Sequence, residues 1–572
     1  MAEHKDQKQG NEFEIHWLED VKKEILARNA DVYTLSTGKT PSGSIHLGIL
    51  REITICDSIK RLLVAEGKKV RFLLFFDSLD AAKRFPPYIP RDFEVHLGKP
   101  FADIPCPEKS CGCESYAHHW GRELVSTFSD FGLTPEIVWT HELYHTPEMK
   151  AQIKKALDNT AVLREIITKN ITQTIDDESG AAYQEQMQNW FPAMVVCSKC
   201  GTTQFYDKKA DKILPNRIVA YHAESSEVDY ECPNPRCNNK ESVQIDSPST
   251  RLKMNWRVDW PAKWSLFKTT LEPAGKDHAT PGGSYDTGLE ICKKVYGYEG
   301  PVKLGYEWLR LGDADMGTSR GKTFTPREYL DIGGLPEAFR YIIIKTKAST
   351  HISFRVDNLP QLFEDYEKFE RVFYGIEKPA DATDEKVTKY MYPLTQVKKV
   401  AREMPARLPF KYAIVMAQIR EILDETIVRD KCNEMVRRIT PGAKVKPLSA
   451  AVIKNTLDKV AYWVKTYAPP QYRFNVSKSL PPEIKNALND EEKAALKRLK
   501  TLLETKAYDD EQALQNDIFA IAKDDMKVPP TRVFQAIYKV FVGAKSGPRI
   551  GPFLLALDTE FILKRLADAL DP

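Results

Sequence analysis

The cysteines cluster in one part of the chain, since seven of the ten lie between positions 106 and 237. Cys197 and Cys200 form a CxxC turn, and the pair Cys232 and Cys237 follows after 31 intervening residues. Two short cysteine turns at such a separation are typical of a Zn²⁺ ion held tetrahedrally by four thiolates. Four ligands leave no open position on the metal. The pattern therefore predicts a structural zinc, with four free structural cysteines as the alternative.

Cys106, Cys111 and Cys113 form a second candidate metal site, because the three thiols lie close together in the sequence. His118 and His119 begin the next helical pattern, and either imidazole can complete a set of four ligands. This spacing is less standard than that of the first site. It predicts either a second zinc or a reduced cysteine-rich turn.

The stretch "PSGSIHLG" places Gly43, His46 and Gly48 between a strand-like segment and a helical one. At a helix N-terminus, unpaired backbone N–H groups and the helix dipole favour an anion. The glycines remove side chains that would block a nucleotide, and the histidine can donate a hydrogen bond to a phosphate as charge builds in a transition state. The alternative is a plain strand-to-helix turn in which His46 caps the helix.

A second stretch, "DADMGTSRGKTF" at residues 313–324, also precedes a helical pattern. It contains Met316, Ser319 and Arg320 among small residues and a further lysine. A small, cationic loop of this kind can fold over a polyphosphate and supply hydroxyls and a positive charge to a leaving pyrophosphate. The alternative is an ordinary solvated loop.

The segments around the first stretch alternate between strand and helix patterns. Residues 31–38 are strand-like, residues 49–67 have helical apolar spacing, and residues 69–78 form a continuous apolar strand. Strand, glycine turn, helix and buried strand make a βαβ unit, so we predict an α/β fold with a parallel sheet covered by helices. Ligands bind such sheets at the carboxyl ends of the strands, where the glycine turn lies.

The length of 572 residues and changes in composition along the chain predict several domains. Cysteine, proline and glycine become frequent after residue 101, α/β patterns return after residue 250, and helical patterns dominate from about residue 326. Residues 381–394 have the composition of a polar hinge. The predicted parts are the first half of a Rossmann-type domain in 1–100, an insertion with the zinc elements in 101–250, the second half of the Rossmann-type domain in 251–345, connecting stem helices in 346–390, and an all-α domain in 391–572.

The overall charge is nearly balanced, because 83 Lys and Arg face 80 Asp and Glu, which leaves +3. This balance neither requires nor excludes a nucleic-acid partner, since local basic patches matter more than the sum. The N-terminus is polar, and no window approaches the roughly 18 apolar residues of a membrane span. We expect a cytoplasmic protein that does not enter a membrane.

The two chemical stretches resemble a known pair of signatures. "PSGSIHLG" followed far downstream by "MGTSRG" resembles the HIGH and KMSKS motifs of class I aminoacyl-tRNA synthetases. Further strings are similar to class I lysyl-tRNA synthetases in particular, and the resemblance covers nearly the whole chain. These strings are "NWRVDWPAKW" (255–264), "EPAGKDHATPGGSYDTG" (272–288), "GPRIGPFLLALDTEF" (547–561), "GKPFADIP" and "ESYAHHW".

The resemblance implies a lysine–tRNA ligase. Such an enzyme joins lysine to ATP as lysyl-adenylate, releases pyrophosphate, and transfers the lysyl group to the terminal adenosine of tRNA(Lys). It implies ATP with Mg²⁺ as a substrate, L-lysine and tRNA(Lys) as partners, and an anticodon-binding role for the helical region. We expect a monomer.

The resemblance also implies roles for single residues. His46, Ser319 and Arg320 correspond to catalytic residues, and His119 is the histidine that fits the second metal site. The ATP-binding set is Gly43, His46, Gly48, Met316, Ser319 and Arg320. The chain departs from the signatures at Ile49, where HIGH ends in histidine, and at Asp315 and Arg320, which replace the two lysines of KMSKS.

A lysine pocket needs an anion or oriented polar groups for the ammonium and apolar or aromatic walls for the stem. We select candidates at the end of the first strand and in the two strings after residue 250, although each can equally have a packing role. The candidates are Thr37, Gly38, Trp256, Asp259, Asp277, His278 and Tyr285.

Two other functions remain open from the sequence. A glutamate–tRNA ligase would use the same chemistry, but the pocket strings contain Asp259, Glu272 and Asp277, which favour a cationic substrate. A non-catalytic zinc-ribbon RNA-binding protein is the other alternative. Residues 397–412 combine five cations with aromatic residues, a pattern that suits tRNA phosphates or simply a solvated face.

Overall fold

Five parallel strands form the central sheet of the computed structural model, which describes residues 15–172, 177–207, 212–312, 316, 323–441 and 445–571. The strands in this part of the chain are β1 Tyr33–Lys39, β2 Val70–Phe76, β3 Glu136–Trp139, β4 Ala193–Val195, β5 Gln204–Asp207, β6 Lys212–Pro215, β7 Arg217–His222, β8 Glu227–Glu231, β9 Lys240–Gln244, β10 Leu252–Met254, β11 Thr269–Gly275, β12 Val302–Tyr306, β13 Leu309–Leu311 and β14 Ile352–Phe354.

Helices surround the sheet and make up most of the C-terminal part. In chain order they are α1 Trp17–Leu26, α2 Ile49–Ala65, α3 Tyr116–Val125, α4 Phe128–Phe131, α5 Thr140–Leu143, α6 Pro147–Asp158, α7 Thr160–Thr172, α8 Asp177–Gln188, α9 Trp256–Phe267, α10 Lys276–Ala279, α11 Ser284–Lys294, α12 Pro326–Asp331, α13 Pro336–Lys345, α14 Leu359–Phe373, α15 Ala382–Thr395, α16 Phe410–Ile419, α17 Glu425–Ile439, α18 Ala450–Thr466, α19 Pro482–Asn486, α20 Asp490–Thr505, α21 Glu511–Ala520, α22 Pro530–Val542, α23 Ile550–Ala556 and α24 Thr559–Leu570.

The strand order in the central sheet is β12-β11-β1-β2-β3, and every neighbouring pair is parallel. β2, with the sequence VRFLLFF, is apolar almost throughout because a strand in the middle of a parallel sheet is buried on both faces. β1 pairs with β2 from Tyr33–Val70 to Lys39–Phe76, as the predicted βαβ unit requires. The predicted fold class, an α/β domain with a parallel sheet, is confirmed.

The order in which successive strands are added to the sheet changes direction at β1. β2 and β3 extend the sheet on one side of β1, whereas β11 and β12, which come after the long insertion, extend it on the other side. The connections on the two sides of β1 and β11 therefore diverge and leave a crevice at the carboxyl ends of these strands.

The segment between β3 and β11 carries a second sheet, with antiparallel strands in the order β10-β4-β7-β8-β9. Its inner face packs into an apolar core that includes Val195, Ile218, Tyr230 and Met254. A short hairpin of β5 and β6 joins β4 to β7. The insertion thus has its own core-forming strands, and it also contains the helices α6 and α7.

The chain divides into two compact units. The first contains the described residues up to Tyr329 together with Phe339–Phe354 and Pro393–Lys398, and it holds both sheets. The second contains Leu330–Ala338, Arg355–Tyr392 and the described residues from Lys399 onward, which form helices and turns. The finer division into five parts stays a prediction.

The predicted polar hinge at 381–394 is wrong, because these residues form most of α15. Asp381 caps the helix by accepting hydrogen bonds from the backbone N–H groups of Thr383 and Asp384, at 2.7 and 2.9 Å. Met391 and Tyr392 are buried. The first turns of the helix are polar, as a hinge would be, whereas the buried apolar residues lie only in its last turns.

None of the helices in the described ranges is long and apolar enough to span a membrane.

Arg51 fastens α2 to the segment that precedes β14 and to the turn between β12 and β13. Its side chain is fully buried, and the guanidinium donates hydrogen bonds to the carbonyl oxygens of Thr350 at 2.8 Å and of Ala348 and Lys347 at 3.2 Å. It also donates to the carbonyl of Trp308, at 3.4 Å. One buried cation therefore satisfies carbonyls of two separate loops.

Replacing this guanidinium should destabilise the protein. In Arg51→Met the carbonyls lose their donors inside the protein, so we expect the free energy of unfolding in urea to fall by about 2–4 kcal/mol. Arg91→Met, at an exposed position, is the matched control and should change it by less than about 0.5 kcal/mol. Equal stability of the two variants would contradict the assigned role.

Candidate active site

A cavity of about 970 Å³ opens at the carboxyl ends of β1, β2, β11 and β12. Its walls come from the end of β1, the turn before α2, the first half of α9, the end of β11 and the residues after β12. This is the crevice that the strand order creates. The cavity is therefore the candidate site for both nucleotide and amino acid.

The turn before α2 brings part of the predicted ATP set to this cavity. His46, Gly48 and Met316 line the wall, and Gly43 lies within the same turn. Gly48 is the N-cap of α2 and has no side chain to obstruct the imidazole. The other two members, Ser319 and Arg320, lie outside the described residues.

His46 presents a neutral imidazole to the cavity. Burial, and secondarily the nearby charge of Lys39, lower the pKa of His46 to about 3. Its Nδ1 is buried and has no hydrogen-bond partner among the described residues. A neutral ring with an unpartnered nitrogen at the wall of a cavity can hydrogen-bond a ligand without first being deprotonated.

Lys39 is a functional candidate that the sequence reasoning missed. It ends β1 and lines the cavity, and it forms no ion pair within the described part of the chain. Burial lowers its pKa, and the charge of Glu52 opposes that shift in part. A cation in this position is suited to bind an anionic group of a ligand.

Glu52 is the second missed residue, and it is nearly fully buried in the first turn of α2. Its carboxylate accepts hydrogen bonds from the hydroxyls of Thr37 and Tyr306, and no ion pair of Glu52 occurs among the described residues. Burial raises the pKa of Glu52 to about 7. No signal in the sequence singled it out, because the helical pattern at 49–59 also contains the charged residues Arg51 and Asp57.

Glu272 lies in the same cavity but has a full set of donors. It accepts hydrogen bonds from the hydroxyl of Ser36 at 2.5 Å, from the indole of Trp260 at 2.6 Å and from the indole of Trp264 at 2.9 Å. Burial raises its pKa. Glu272 therefore fixes two tryptophans, one of which, Trp260, forms part of the cavity wall.

Asp259 lines the cavity, but its charge is already balanced. Lys253 and Lys263 both lie 3.1 Å from its carboxylate, and Tyr144 donates a hydrogen bond to it at 2.5 Å. Although burial opposes ionisation, the two lysines lower the pKa of Asp259 to about 2. Asp259 is thus the centre of a buried ion network, whereas Glu52 forms no ion pair among the described residues.

Most of the other predicted lysine-binding residues also reach the cavity. Thr37, Gly38, Trp256, Asp277 and His278 are on its wall. The rings of Trp256 and Trp260 lie 5.7 and 5.6 Å from that of His278, in edge-to-face arrangements. These aromatic rings form one side of the cavity.

Tyr285 lies behind this wall and does not line the cavity. Its side chain is fully buried, and its hydroxyl donates to the backbone carbonyls of Glu272 and Val302, both at 3.1 Å. Its ring packs edge-on against Trp260 at 5.4 Å. Tyr285 therefore supports the wall, while Tyr306, which was not predicted, supplies the hydroxyl inside the cavity.

Both predicted metal clusters are assembled. The ligand atoms of Cys197, Cys200, Cys232 and Cys237 all lie within 4.8 Å of one another. Two sulfur–sulfur distances in this set are 3.7 Å, close to the roughly 3.8 Å that tetrahedral Zn–S bonds impose. Four thiols in this arrangement fit a zinc ion.

The second set consists of Cys106, Cys111, Cys113 and His119, also within 4.8 Å of one another. Nδ1 of His119 lies 3.3 Å from the sulfur of Cys111 and 3.5 Å from that of Cys106. His118 points elsewhere, because its Nδ1 is 2.9 Å from the hydroxyl of Ser115. Three thiols and one imidazole in this arrangement also fit a zinc ion.

The sequence matches one protein family over residues 15–398, the family described as tRNA synthetases class I (K). The chain belongs to this family. The predicted family and the prediction of an enzyme that forms aminoacyl-tRNA are thereby confirmed. Class I tRNA synthetases in general use ATP and Mg²⁺.

Curated relatives of this class I synthetase match along nearly their whole length. The lysine–tRNA ligase of Methanocaldococcus jannaschii is 30% identical, covering 96% of this chain and 99% of the relative. That of Methanosarcina barkeri is 30% identical, covering 97% and 98%. That of Pyrococcus horikoshii is 28% identical, covering 96% and 99%.

Gly48 gives a direct test of the site in this synthetase. A Cβ at this position would lie 2.8 Å from Nδ1 of His46, whereas the backbone φ of −57° suits alanine. Gly48→Ala should therefore displace the imidazole and lower the rate of ATP–pyrophosphate exchange by about 100-fold, with little change in the midpoint of thermal unfolding.

The control is a double-mutant cycle with His46→Ala. If the added methyl group acts through the imidazole, the double variant should be no slower than His46→Ala alone. Independent, multiplying losses in the two single variants would contradict this interpretation.

Proposed function

We propose that this chain is a lysine–tRNA ligase whose cavity binds lysine and ATP side by side. The curated relatives confirm the prediction of a lysine–tRNA ligase. The observation that carries the choice of lysine is Glu52, a buried carboxylate that lines the cavity without an ion-pair partner among the described residues. An uncompensated buried charge is unfavourable unless a ligand of opposite charge completes it.

Glu52 binds the side-chain ammonium of lysine in this proposal. The hydroxyls of Thr37 and Tyr306 hold the carboxylate in place and reduce its freedom to rotate. Trp256 and Trp260 provide aromatic surface for the aliphatic stem. Gly38, Asp277 and His278 are the remaining wall residues that we assign to the amino acid.

ATP binds at the start of α2, with Gly43 and Gly48 giving the phosphates access to the backbone. The lysine carboxylate oxygen attacks the α-phosphorus, and the bond from this phosphorus to the bridging oxygen of pyrophosphate breaks. Neutral His46 donates a hydrogen bond to the α-phosphate, while the ammonium of Lys39 balances the developing negative charge. Mg²⁺, when bound with ATP, neutralises phosphate oxygens.

Met316, Ser319 and Arg320 close over the β- and γ-phosphates in this scheme, with Ser319 and Arg320 acting on the leaving pyrophosphate. Arginine keeps the positive charge of the signature lysine and offers two parallel donors. In the second step a ribose hydroxyl of the terminal adenosine of tRNA(Lys) attacks the carbonyl carbon of lysyl-adenylate. AMP leaves and the aminoacyl ester remains on the tRNA.

Glutamate fits this cavity poorly. Its side-chain carboxylate would meet Glu52 and Glu272, and like charges in a buried site repel strongly. Lys253 and Lys263 are already bound to Asp259 and to Asp77 or Asp80, and Lys39 is assigned to the phosphates of ATP. Charge complementarity therefore supports a cationic amino acid.

We assign tRNA recognition to the helical region from about residue 391, the anticodon-binding part of the five-part division, and we propose a cytoplasmic monomer. Lys398, Lys399 and Arg402 are exposed and available to phosphates. Two other cations of this stretch have partners instead, since Arg407 lies 2.8 Å from Glu370 and Lys411 lies 2.7 Å from Glu364.

Amino-acid-dependent ATP–pyrophosphate exchange tests the function directly. We expect exchange with lysine and with none of the other standard amino acids, measured with and without tRNA. Exchange driven by glutamate would move the assignment to another ligase. Silence with every amino acid in the presence of tRNA would leave only an RNA-binding role.

Glu52→Gln should separate lysine binding from folding. The amide keeps the shape but loses the charge, so we expect the KM for lysine to rise about 10- to 100-fold and the KM for ATP to stay within about twofold. In the wild type the KM for lysine should fall as the pH is raised through about 7, because Glu52 then ionises. A pH-independent lysine KM in the wild type would count against Glu52.

We place one structural zinc in each cysteine cluster. Purified protein should contain about two equivalents of zinc by atomic emission, Cys200→Ser and Cys111→Ser about one equivalent each, and the double variant none. Cys56→Ser, at a buried thiol outside both clusters, is the control and should keep both. Loss of both ions in either single variant would contradict two independent sites.

A further inference from the structure

The turn that precedes His46 is held from outside by three side chains. The hydroxyl of Tyr116 donates to the carbonyl of Ser42 at 3.0 Å. The backbone N–H of Ser44 donates to the hydroxyl of Tyr88 at 2.8 Å, and its side-chain hydroxyl donates to the carboxylate of Glu123 at 3.1 Å. The conformation of the proposed phosphate-binding turn therefore depends on residues 88–123.

Two of these three partners lie on one face of α3. Tyr116 and Glu123 are seven residues apart, which is close to two helical turns. Tyr116 is fully buried and stacks on Phe101 with ring centroids 5.5 Å apart. Glu123 is half-buried, and burial raises its pKa. Both side chains are thus held by their own surroundings in addition to their contacts with the turn.

The same face of α3 carries a ligand of the second metal cluster. His119 lies between Tyr116 and Glu123, with Nδ1 3.3 Å from the sulfur of Cys111. The next residue, Trp120, packs edge-on against Tyr88 at 5.7 Å. The first turns of α3 are therefore in contact with both the cysteine cluster and the ATP turn.

A turn that wraps phosphates must hold its backbone in one conformation, and fixing each free residue costs about 1–2 kcal/mol. Contacts that fix the turn before the nucleotide arrives remove this cost from binding. The contacts to Ser42 and Ser44 involve a carbonyl, an N–H and a hydroxyl, which together restrain the turn on both sides of Gly43. They do not touch Glu52 or the aromatic wall.

We infer that α3 positions the ATP-binding turn, with Glu123 and Tyr116 as positioning residues and the Cys106–His119 cluster holding the helix that carries them. This inference rests on the proposed function, because it assigns ATP to the turn. It predicts that changes on α3 alter ATP affinity and leave lysine affinity unchanged.

Glu123→Ala is the primary test, since it removes the acceptor of the Ser44 hydroxyl. We expect the dissociation constant for ATP, measured by calorimetry on the full-length protein without lysine or tRNA, to rise about five- to tenfold. The KM for lysine in pyrophosphate exchange should stay within about twofold. Glu123→Gln retains an amide oxygen as acceptor and should recover most of the ATP affinity.

Glu114→Ala is the matched control. Glu114 lies just before α3, and its side chain, 72% exposed, pairs with Arg122 at 3.3 Å. This variant also loses one carboxylate from the same segment, but Glu114 does not contact the turn. It should therefore bind ATP as the wild type does. Equal ATP dissociation constants for Glu123→Ala and Glu114→Ala would overturn the inference.

Tyr116→Phe tests the contact between Tyr116 and the turn, and His119→Gln tests the role of the Cys106–His119 cluster. Tyr116→Phe should raise the ATP dissociation constant about threefold, because it removes only the hydroxyl. His119→Gln should lose one equivalent of zinc and also bind ATP more weakly, whereas loss of zinc with unchanged ATP affinity would overturn the link to the cluster. A parallel rise in the KM for lysine would show a general structural role and would also overturn the inference.

The failure of the proposed function would be distinguishable from these outcomes. It would appear as absence of lysine-dependent exchange in the wild type, while ATP binding by calorimetry would still report on α3.

Discussion

The parallel pairing of β1 with β11 is the constraint on which the rest of the site depends. These strands come from segments on either side of the long insertion, and their register aligns Thr34 with Thr269 and Leu35 with Leu271. The pairing puts Ser36 beside Glu272, so that a hydroxyl from before the insertion meets a carboxylate from after it. It also creates the point where the strand order reverses, and thus the cavity. Closing so long a loop costs entropy, which the apolar core formed on both faces of the sheet must offset.

Three buried carboxylates in this cavity are compensated in three different ways. Asp259 is neutralised by two lysines, and Glu272 is saturated by one hydroxyl and two indole donors. Among the described residues, Glu52 accepts hydrogen bonds from two hydroxyl groups and forms no ion pair, although the charge of nearby Lys39 also lowers its pKa. Burial raises its pKa to about 7, because these groups offset the loss of hydration only in part. In the proposed function a cationic ligand offsets this burial, so the electrostatics around Glu52 favour a cationic substrate.

Sequence reasoning succeeded where the signal is local. The buried strand β2, the helix after the glycine turn and the cysteine pairs each have a short pattern that needs no knowledge of distant residues. Lys39, Glu52 and Tyr306 were missed because nothing near them in the sequence marks them as ligands. Tyr306 meets Glu52 only through the stacking of β12 on β11 and of β11 on β1, a register that a single sequence does not reveal. Tyr285 is the opposite case. It was selected as a ligand because it lies in a string similar to the family, but its hydroxyl donates to two backbone carbonyls.

The cysteines are placed away from the cavity. In the described part of the chain no cysteine lines the cavity, and both clusters have four ligands, which leaves no position for a substrate on a bound metal. In the proposed function a neutral imidazole, an ammonium and the backbone of one turn act on the phosphates, together with Mg²⁺ and with Ser319 and Arg320. Such groups act only if they are fixed in advance, because none of them forms a covalent bond to the reactants. The stretch "PSGSIHLG" is too short to fix itself: its glycines allow close approach but do not restrain the chain. The restraint comes from α3 and Tyr88, and this is why the residues that make the turn rigid lie 40 to 80 positions away from it in the sequence.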